Sequence, residues 1–264
     1  MRRVVFNQKG GVGKSTITCN LAAISAFNGR RTLVVDLDPQ GNSTSYLLGE
    51  AAGQLKHTLG GFFAQMLSFT FFPEPTETFI THTPFDNLDL MASHPDLEEL
   101  RDKLELRYKM FKLREALDKL TGYDEVFIDT PPALNFFSRS ALIAADACLI
   151  PFDCDDFSRQ ALYKLLESVS EIRADHNAEL HVEGIVVNQF HSRARLPQRL
   201  VGELKEEGLP VLDAYISSSV KIRESHDRAA PMIHLSPRHK LSGEFQALYR
   251  RLENGGKDPN IATA

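Results

Sequence analysis

Residues 3 to 16 read Arg3-Val-Val-Phe-Asn-Gln-Lys-Gly-Gly-Val-Gly-Lys-Ser-Thr16, and no other stretch constrains the chain as strongly. Val4 to Phe6 is a short apolar run of the kind that forms a buried strand. It stops at a glycine-rich turn, and a helical pattern begins near Ser15. Gly10, Gly11, Val12 and Gly13 allow the backbone to curl with successive N–H groups pointing inward, and the positive end of the following helix adds to the same spot. Such a turn cradles phosphate. Lys14 is placed to reach the β and γ phosphates of a nucleotide, Ser15 supplies a hydroxyl for Mg²⁺, and Thr16 follows in the first helical turn. The strict pattern G-x-x-x-x-G-K-[ST] fails at its first glycine, where Gln8 stands, and a second lysine, Lys9, comes next.

The rest of the chain alternates strand and helix. Ile17, Leu21, Ala22 and Ile24 give helical spacing that stops near Asn28-Gly29, and Thr32-Leu-Val-Val-Asp36 is a second buried strand. A strand–helix–strand opening implies a right-handed crossover and a parallel sheet. It delivers Asp36 and Asp38 to the carboxyl edge of that sheet, beside the phosphate loop. Leu88 to Met91, Glu125-Val-Phe-Ile-Asp129, Ala147 to Phe152 and Glu183 to Asn188 read as further strands. Asp129 ends its apolar run in the arrangement whose carboxylate holds a water of the Mg²⁺ shell. Pro95 opens a long helix whose Leu97, Leu100, Leu104, Met110, Leu113, Leu117 and Leu120 form one apolar stripe, and another helix runs from about Ser158 to Arg173. The expected fold is α/β, a mostly parallel twisted sheet with helices on both faces. Residues 1–253 are expected to form a single domain, with a disordered polar tail over 254–264. Residues 43–86 fit no one period: His57 to Leu67 reads as a helix, and Phe62, Phe63, Phe69, Phe71 and Phe72 as core or subunit-contact residues. Asp153, Asp155 and Asp156 read as a helix N-terminal cap cluster.

Composition excludes some classes. With 42% hydrophobic and 25% charged residues this is an ordinary globular chain, and no apolar run approaches the roughly 20 residues that cross a bilayer. The three cysteines, Cys19, Cys148 and Cys154, are odd in number and lack metal-like spacing, so reduced thiols in cytoplasm are expected. The net charge of −5 is unevenly spread: residues 187–251 sum to +4 and the remainder to −9. A polyanion would meet the basic part, through His191-Ser-Arg-Ala-Arg195, Val220-Lys-Ile-Arg-Glu224 and Arg238-His-Lys240. The last helix, about Gly243 to Leu252, puts Phe245, Leu248 and Leu252 on one side for packing onto the sheet.

Three motifs agree with one family. Lys9-Gly-Gly-Val-Gly-Lys-Ser-Thr16 resembles the deviant Walker A motif of the ParA/MinD ATPases, Asp36-Leu-Asp-Pro-Gln-Gly-Asn42 resembles their switch I, and Asp129-Thr-Pro-Pro132 their switch II. The resemblance runs from Arg3 to Leu252, weakens between about 50 and 86, and looks like the short, Soj-like type. It implies a P-loop ATPase with ATP and Mg²⁺ as cofactors, and an ATP-dependent sandwich homodimer in which Lys9 of each subunit reaches the phosphates held by the other. It further implies slow, partner-stimulated hydrolysis with Lys9, Lys14 and Asp38 catalytic, Asp38 orienting the attacking water. Ser15, Asp36 and Asp129 would lie about the metal, and Asn188 would contact the adenine edge. Non-specific double-stranded DNA is the implied partner of Arg193, Arg195, Lys221, Arg223, Arg238 and Lys240, on the nucleoid, with a ParB-like or cargo-adaptor protein as stimulator and no membrane partner. One departure is plain: Ile216-Ser-Ser218 stands where the family has Ile-Pro-Arg. The resemblance therefore admits a DNA-associated switch that positions a cargo, a MinD-like or regulatory switch acting on a membrane or protein partner without DNA, and a metabolic P-loop enzyme.

Overall fold

Val4, Val5, Leu33, Val34, Val35, Phe127, Ile128, Leu149 and Ile150 leave no polar face on their strands, so a sheet built from them needs cover on both sides. The computed structural model has that form. It describes residues 1–68, 72–154, 156–191 and 195–255, without the side chains of 156–158. Phe69, Phe71, Asp155, Arg193 and the tail from 256 onward lie outside the described residues.

The strands are β1 (Arg2–Val5), β2 (Thr32–Asp36), β3 (Thr81–His82), β4 (Leu88–Met91), β5 (Glu125–Asp129), β6 (Ala147–Asp153) and β7 (His181–Asn188). The helices of the first half are α1 (Lys14–Phe27), α2 (Asn42–Leu48), α3 (Leu59–Gln65), α4 (Asp96–Leu106), α5 (Lys112–Lys119) and α6 (Phe136–Ala144). Those of the second half are α7 (Asp156–Asp175), α8 (Arg195–Glu206), α9 (Lys221–Asp227), α10 (Met232–Leu235) and α11 (Lys240–Glu253). The sheet runs β3-β4-β2-β5-β1-β6-β7, parallel throughout except for the short edge strand β3 against β4. β1 therefore sits inside the sheet with β5 on one side and β6 on the other, and the loop after it opens at the centre of the carboxyl edge.

The period of two along each strand divides the core into two layers. Val4, Leu33, Val35, Ile128 and Ile150 pack with α3 to α8, while Val5, Val34, Phe127, Leu149 and Val186 pack with α1, α2, α10 and α11. Phe245, Leu248 and Leu252 of α11 bury against the second layer, as their spacing predicts. Phe62 and Phe63 are core residues in edge-to-face contact with each other and, through Phe63, with Phe136 and Phe137. Phe72 is instead 91% exposed.

The single helix expected from Pro95 to Leu120 is a correction. The apolar spacing of three and four slips to six between Leu104 and Met110, and there α4 ends at Leu106, Tyr108 takes a left-handed φ of 52°, and α5 begins only at Lys112. Two short helices follow the sheet where one long helix would have overshot it. Of the aspartates expected at a helix N-terminus, Asp156 opens α7, while Asp153 closes β6 with its carboxylate 3.7 Å from Lys9 Nζ.

At the amino edge of the sheet, opposite the phosphate loop, Arg3 is buried between two carboxylates. Its Nη1 lies 2.6 Å from Glu125 and its Nε 2.8 Å from Glu183, and the Tyr249 hydroxyl donates to Glu125 at 2.8 Å. This clasp ties β1, β5, β7 and α11 together.

Candidate functional site

The phosphate loop is shaped by its glycines and pinned by amides. Gly11 and Gly13 have φ of 77° and 89°, values that favour residues without a Cβ. Asn7 Nδ2 donates to the Pro151 carbonyl at 2.6 Å and its Oδ1 accepts the Lys9 N–H at 2.9 Å, anchoring the loop's start to β6. On the far side Asn188 Nδ2 donates to the Val12 carbonyl at 2.8 Å, and Gln189 Nε2 to that of Gly11 at 3.0 Å. Gly13 precedes α1 without any side-chain cap, so the first N–H groups of that helix are directed to the loop rather than to a side chain. Helix α6 makes the contrast clear, because Asn135 and Ser138 close its start in a capping box.

Lys14 is 7% exposed, and its Nζ donates to the Lys9 carbonyl at 3.0 Å. Burial depresses its ammonium pKa, and the nearby carboxylates of Asp129 and Asp38 oppose that shift. Asp129 is fully buried; burial raises its pKa to about 6, while hydrogen bonds from Ser15 and Ser43 pull the other way. Asp129 Oδ2 accepts from Ser43 Oγ at 2.7 Å and Oδ1 from the Thr130 N–H at 3.0 Å. Asp36 pairs in register with Asp129 across β2 and β5. It accepts the Thr44 N–H at 2.8 Å, the Thr44 hydroxyl at 2.7 Å and the Asp38 N–H at 3.2 Å, so it holds the start of α2 and the switch loop. Burial, then Asp129, pushes the Asp36 pKa well up. Asp38 is nearly buried; its Oδ1 accepts the Gln40 N–H at 3.1 Å, and its carbonyl accepts the Ser93 hydroxyl at 2.5 Å.

The residues expected about the phosphates thus converge. Lys14, Ser15, Asp36, Asp38 and Asp129 meet at the carboxyl ends of β1, β2 and β5, and Lys9 faces the end of β6. The oxygen donors, a serine hydroxyl hydrogen-bonded to a buried carboxylate with an unmet demand for positive charge, are of the hard type that suits Mg²⁺. Beside the loop a cleft of about 250 Å³ opens between Gly13, Asn188, the 216–220 segment and Arg223, with Leu241 and Phe245 among its lining. An apolar wall with an amide at its edge suits a planar base.

The basic residues are less uniform. Lys221 Nζ pairs with Glu224 at 2.6 Å, and Lys240 Nζ with Glu244 at 3.2 Å while donating to Ser217 Oγ at 2.9 Å. Arg195, Arg223 and Arg238 are exposed, and no carboxylate among the described residues pairs with them. Sequence reasoning missed Gln189, Ser93, Tyr46 and His226. The last two enter through a long-range contact: His226 Nε2 lies 2.9 Å from Thr16 Oγ1, and its ring stacks on that of Tyr46 with centroids 3.9 Å apart. No local signal announces a partner 210 residues away.

The chain is similar to known proteins in sequence and in fold. The sequence model of the AAA domain family matches residues 3–182. The chain is 36% identical to the chromosome-partitioning ATPase Soj of Thermus thermophilus, over 85% of this chain and 84% of that protein. It is 32% identical to the chromosome partitioning protein ParA of Myxococcus xanthus, over 94% and 86%. A structure named cobyrinic acid a,c-diamide synthase from Mycobacterium smegmatis, with bound ADP and magnesium, superposes with a TM-score of 0.78 at 26% identity over 99% of both chains. The cell division ATPase MinD of Pyrococcus furiosus does so with a TM-score of 0.77 at 25% identity, over 96% of this chain and 98% of that one. The chain belongs to the ParA/Soj/MinD family of P-loop ATPases.

Proposed function

We propose that this chain is a Soj-like ATPase switch that dimerises around ATP, binds DNA without sequence preference, and hydrolyses ATP slowly to partition or position a cargo. The observation that carries the reading is the buried Lys14 ammonium, within electrostatic reach of the Asp129 and Asp38 carboxylates, at the mouth of an uncapped helix. In this reading Lys14 and the loop N–H groups bind the β and γ phosphates, and Ser15 and Asp129 would hold Mg²⁺, which would supply neutralisation of phosphate charge. Asp36 fixes the loop that carries Asp38, and Asp38 orients the attacking water. Lys9 serves the partner subunit's phosphates. Catalysis of this kind is positioning plus electrostatics. Asn188 and the cleft beside it take the adenine.

Lys14→Ala should abolish ATP binding measured by calorimetry, and micromolar affinity in that variant would sink the assignment. Asp38→Ala should keep the ATP-dependent dimer in sedimentation while stopping turnover; an active Asp38→Ala would remove that residue from the chemistry. One observation favours the DNA-free alternative, a MinD-like switch on a membrane or protein partner. Lys221 and Lys240, both beside Ser217 to Ser219, are already neutralised by Glu224 and Glu244. Retardation of non-specific duplex DNA with ATP, ADP and no nucleotide separates the two: ATP-dependent retardation supports the first, and an ATP dimer that ignores DNA at low salt supports the second. A ParB-like or cargo-adaptor protein would then be sought by its stimulation of turnover.

A further inference from the structure

Helix α9 is joined to the phosphate loop by a buried polar chain whose donors and acceptors can be assigned one by one. The Ser225 hydroxyl donates to the Ala230 carbonyl at 2.5 Å, so in its 2.5 Å contact with Tyr46 the tyrosine hydroxyl must be the donor. Tyr46 in turn accepts Asn20 Nδ2 at 3.1 Å, and the same amide reaches the Thr16 carbonyl at 2.8 Å. Asn20 Oδ1 accepts the Met232 N–H at 2.8 Å, which closes the chain on α10. These bonds hold Tyr46 rigidly, and the His226 ring lies flat on it at an interplanar angle of 18°. His226 is thereby aimed at Thr16 Oγ1.

That hydroxyl has one proton. If Thr16 gives it to His226 Nε2, nothing remains for a ligand in the loop; if His226 donates through Nε2–H, the Thr16 proton is free to point at an anion. Phosphate oxygens only accept, so a nucleotide in the loop selects the second arrangement. We propose that His226 is a positioning residue for ATP: it donates to Thr16, turns the Thr16 hydroxyl into a phosphate donor, and by the same bond registers helix α9, with Lys221 and Arg223, to the occupied loop. The proposal rests on the reading of the loop as an ATP site. It adds a residue outside the loop, and a physical link from nucleotide to the basic helix.

Mg²⁺-ATP titrated into His226→Leu and Thr16→Val, with melting curves as a control on folding, tests it. Each change should raise the Kd about five- to tenfold, the order of one neutral hydrogen bond, and the double variant should be no worse than either single one. His226→Gln, whose amide nitrogen reaches close to the Nε2 position, should stay within about twofold of wild type, whereas the shorter His226→Asn should not. Amide exchange over 221–227 should slow on adding ATP to wild type and stay unchanged in Thr16→Val. Multiplying effects in the double variant overturn the proposal, as does an unchanged Kd in His226→Leu. Should His226→Leu not fold, equal affinities for the Gln and Asn variants overturn it instead. A wild-type chain that ignores ATP removes the parent reading and this one together, whereas a wild type that binds normally beside an indifferent His226→Leu removes only this one.

Discussion

At the scale of single residues the site is a balance of burial against charge. Gly13 shows how tightly it is built: a Cβ at this position would lie 2.3 Å from Asn188 Nδ2, on a backbone with φ of 89°. Gly13→Ala should cost about 2 kcal/mol in chemical denaturation, from left-handed strain and displacement of the amide. Adding Asn188→Ala should return part of that loss, which a purely local strain would not allow. Asp129 gives a pH prediction. Its folded pKa of about 6 lies above the ordinary carboxylate value, so the fold prefers the protonated acid. The stability this contributes is complete below about pH 4 and is lost as pH rises through about 6. Without metal or nucleotide, Asp129→Asn should therefore be more stable than wild type by about 3 kcal/mol at pH 7.5, with the difference vanishing near pH 4. A constant difference across that range would show that burial does not control this carboxyl.

At the scale of elements, the strands were the readable part. Thr32–Asp36, Leu88–Met91 and Glu125–Asp129 fall where their apolar runs begin and end, and the one polar residue inside them, the buried Asp89, accepts the Tyr123 hydroxyl at 2.7 Å. Helices covering the sheet were harder to bound. The apolar spacing from Leu97 to Leu117 slips once, by six residues from Leu104 to Met110, and the chain turns there through Tyr108 at a φ of 52°. Periodicity reports which face is buried, and both α4 and α5 bury theirs against the same layer. Tyr108 is 82% exposed, so its side chain contributes little packing to offset the left-handed backbone. Tyr108→Gly should raise stability by up to about 1 kcal/mol in urea denaturation; a loss would mean that the ring is held by contacts the exposed surface does not suggest.

At the scale of the whole molecule the two edges of the sheet carry opposite duties. The carboxyl edge concentrates unsatisfied charge for a ligand, and the amino edge satisfies its own. Arg3, Glu125 and Glu183 are all nearly buried, with side-chain exposures of 3%, 3% and 6%. Arg3→Ala should destabilise by about 3–5 kcal/mol, because two buried carboxylates lose their counterion, while ATP affinity at the opposite edge stays near wild type. If DNA binding follows the proposed function, Arg195→Ala with Arg238→Ala, two exposed arginines that no carboxylate among the described residues pairs with, should reduce the salt slope of retardation by about two, one per lost phosphate contact, and leave dimerisation intact. An unchanged slope would move the interface away from this face.

The sequence by itself determined the fold class, the carboxyl ends of β2, β4, β5 and β7, and the glycine turn of the loop, since each depends on residues adjacent in the chain: an apolar run that stops, or a cluster of glycines before a helix. Lys14, Ser15, Asp38 and Asp129 were legible because carboxyl ends of parallel strands share one edge. Tertiary structure alone decided the rest. It turned Asp36 into the residue that holds α2, set Asp153 beside Lys9, neutralised Lys221 and Lys240, and brought His226 to Thr16 across 210 positions. Hydrogen bonds and ion pairs of this kind depend on the relative placement of elements, which is fixed by packing two layers onto a twisted sheet and leaves no period in the chain.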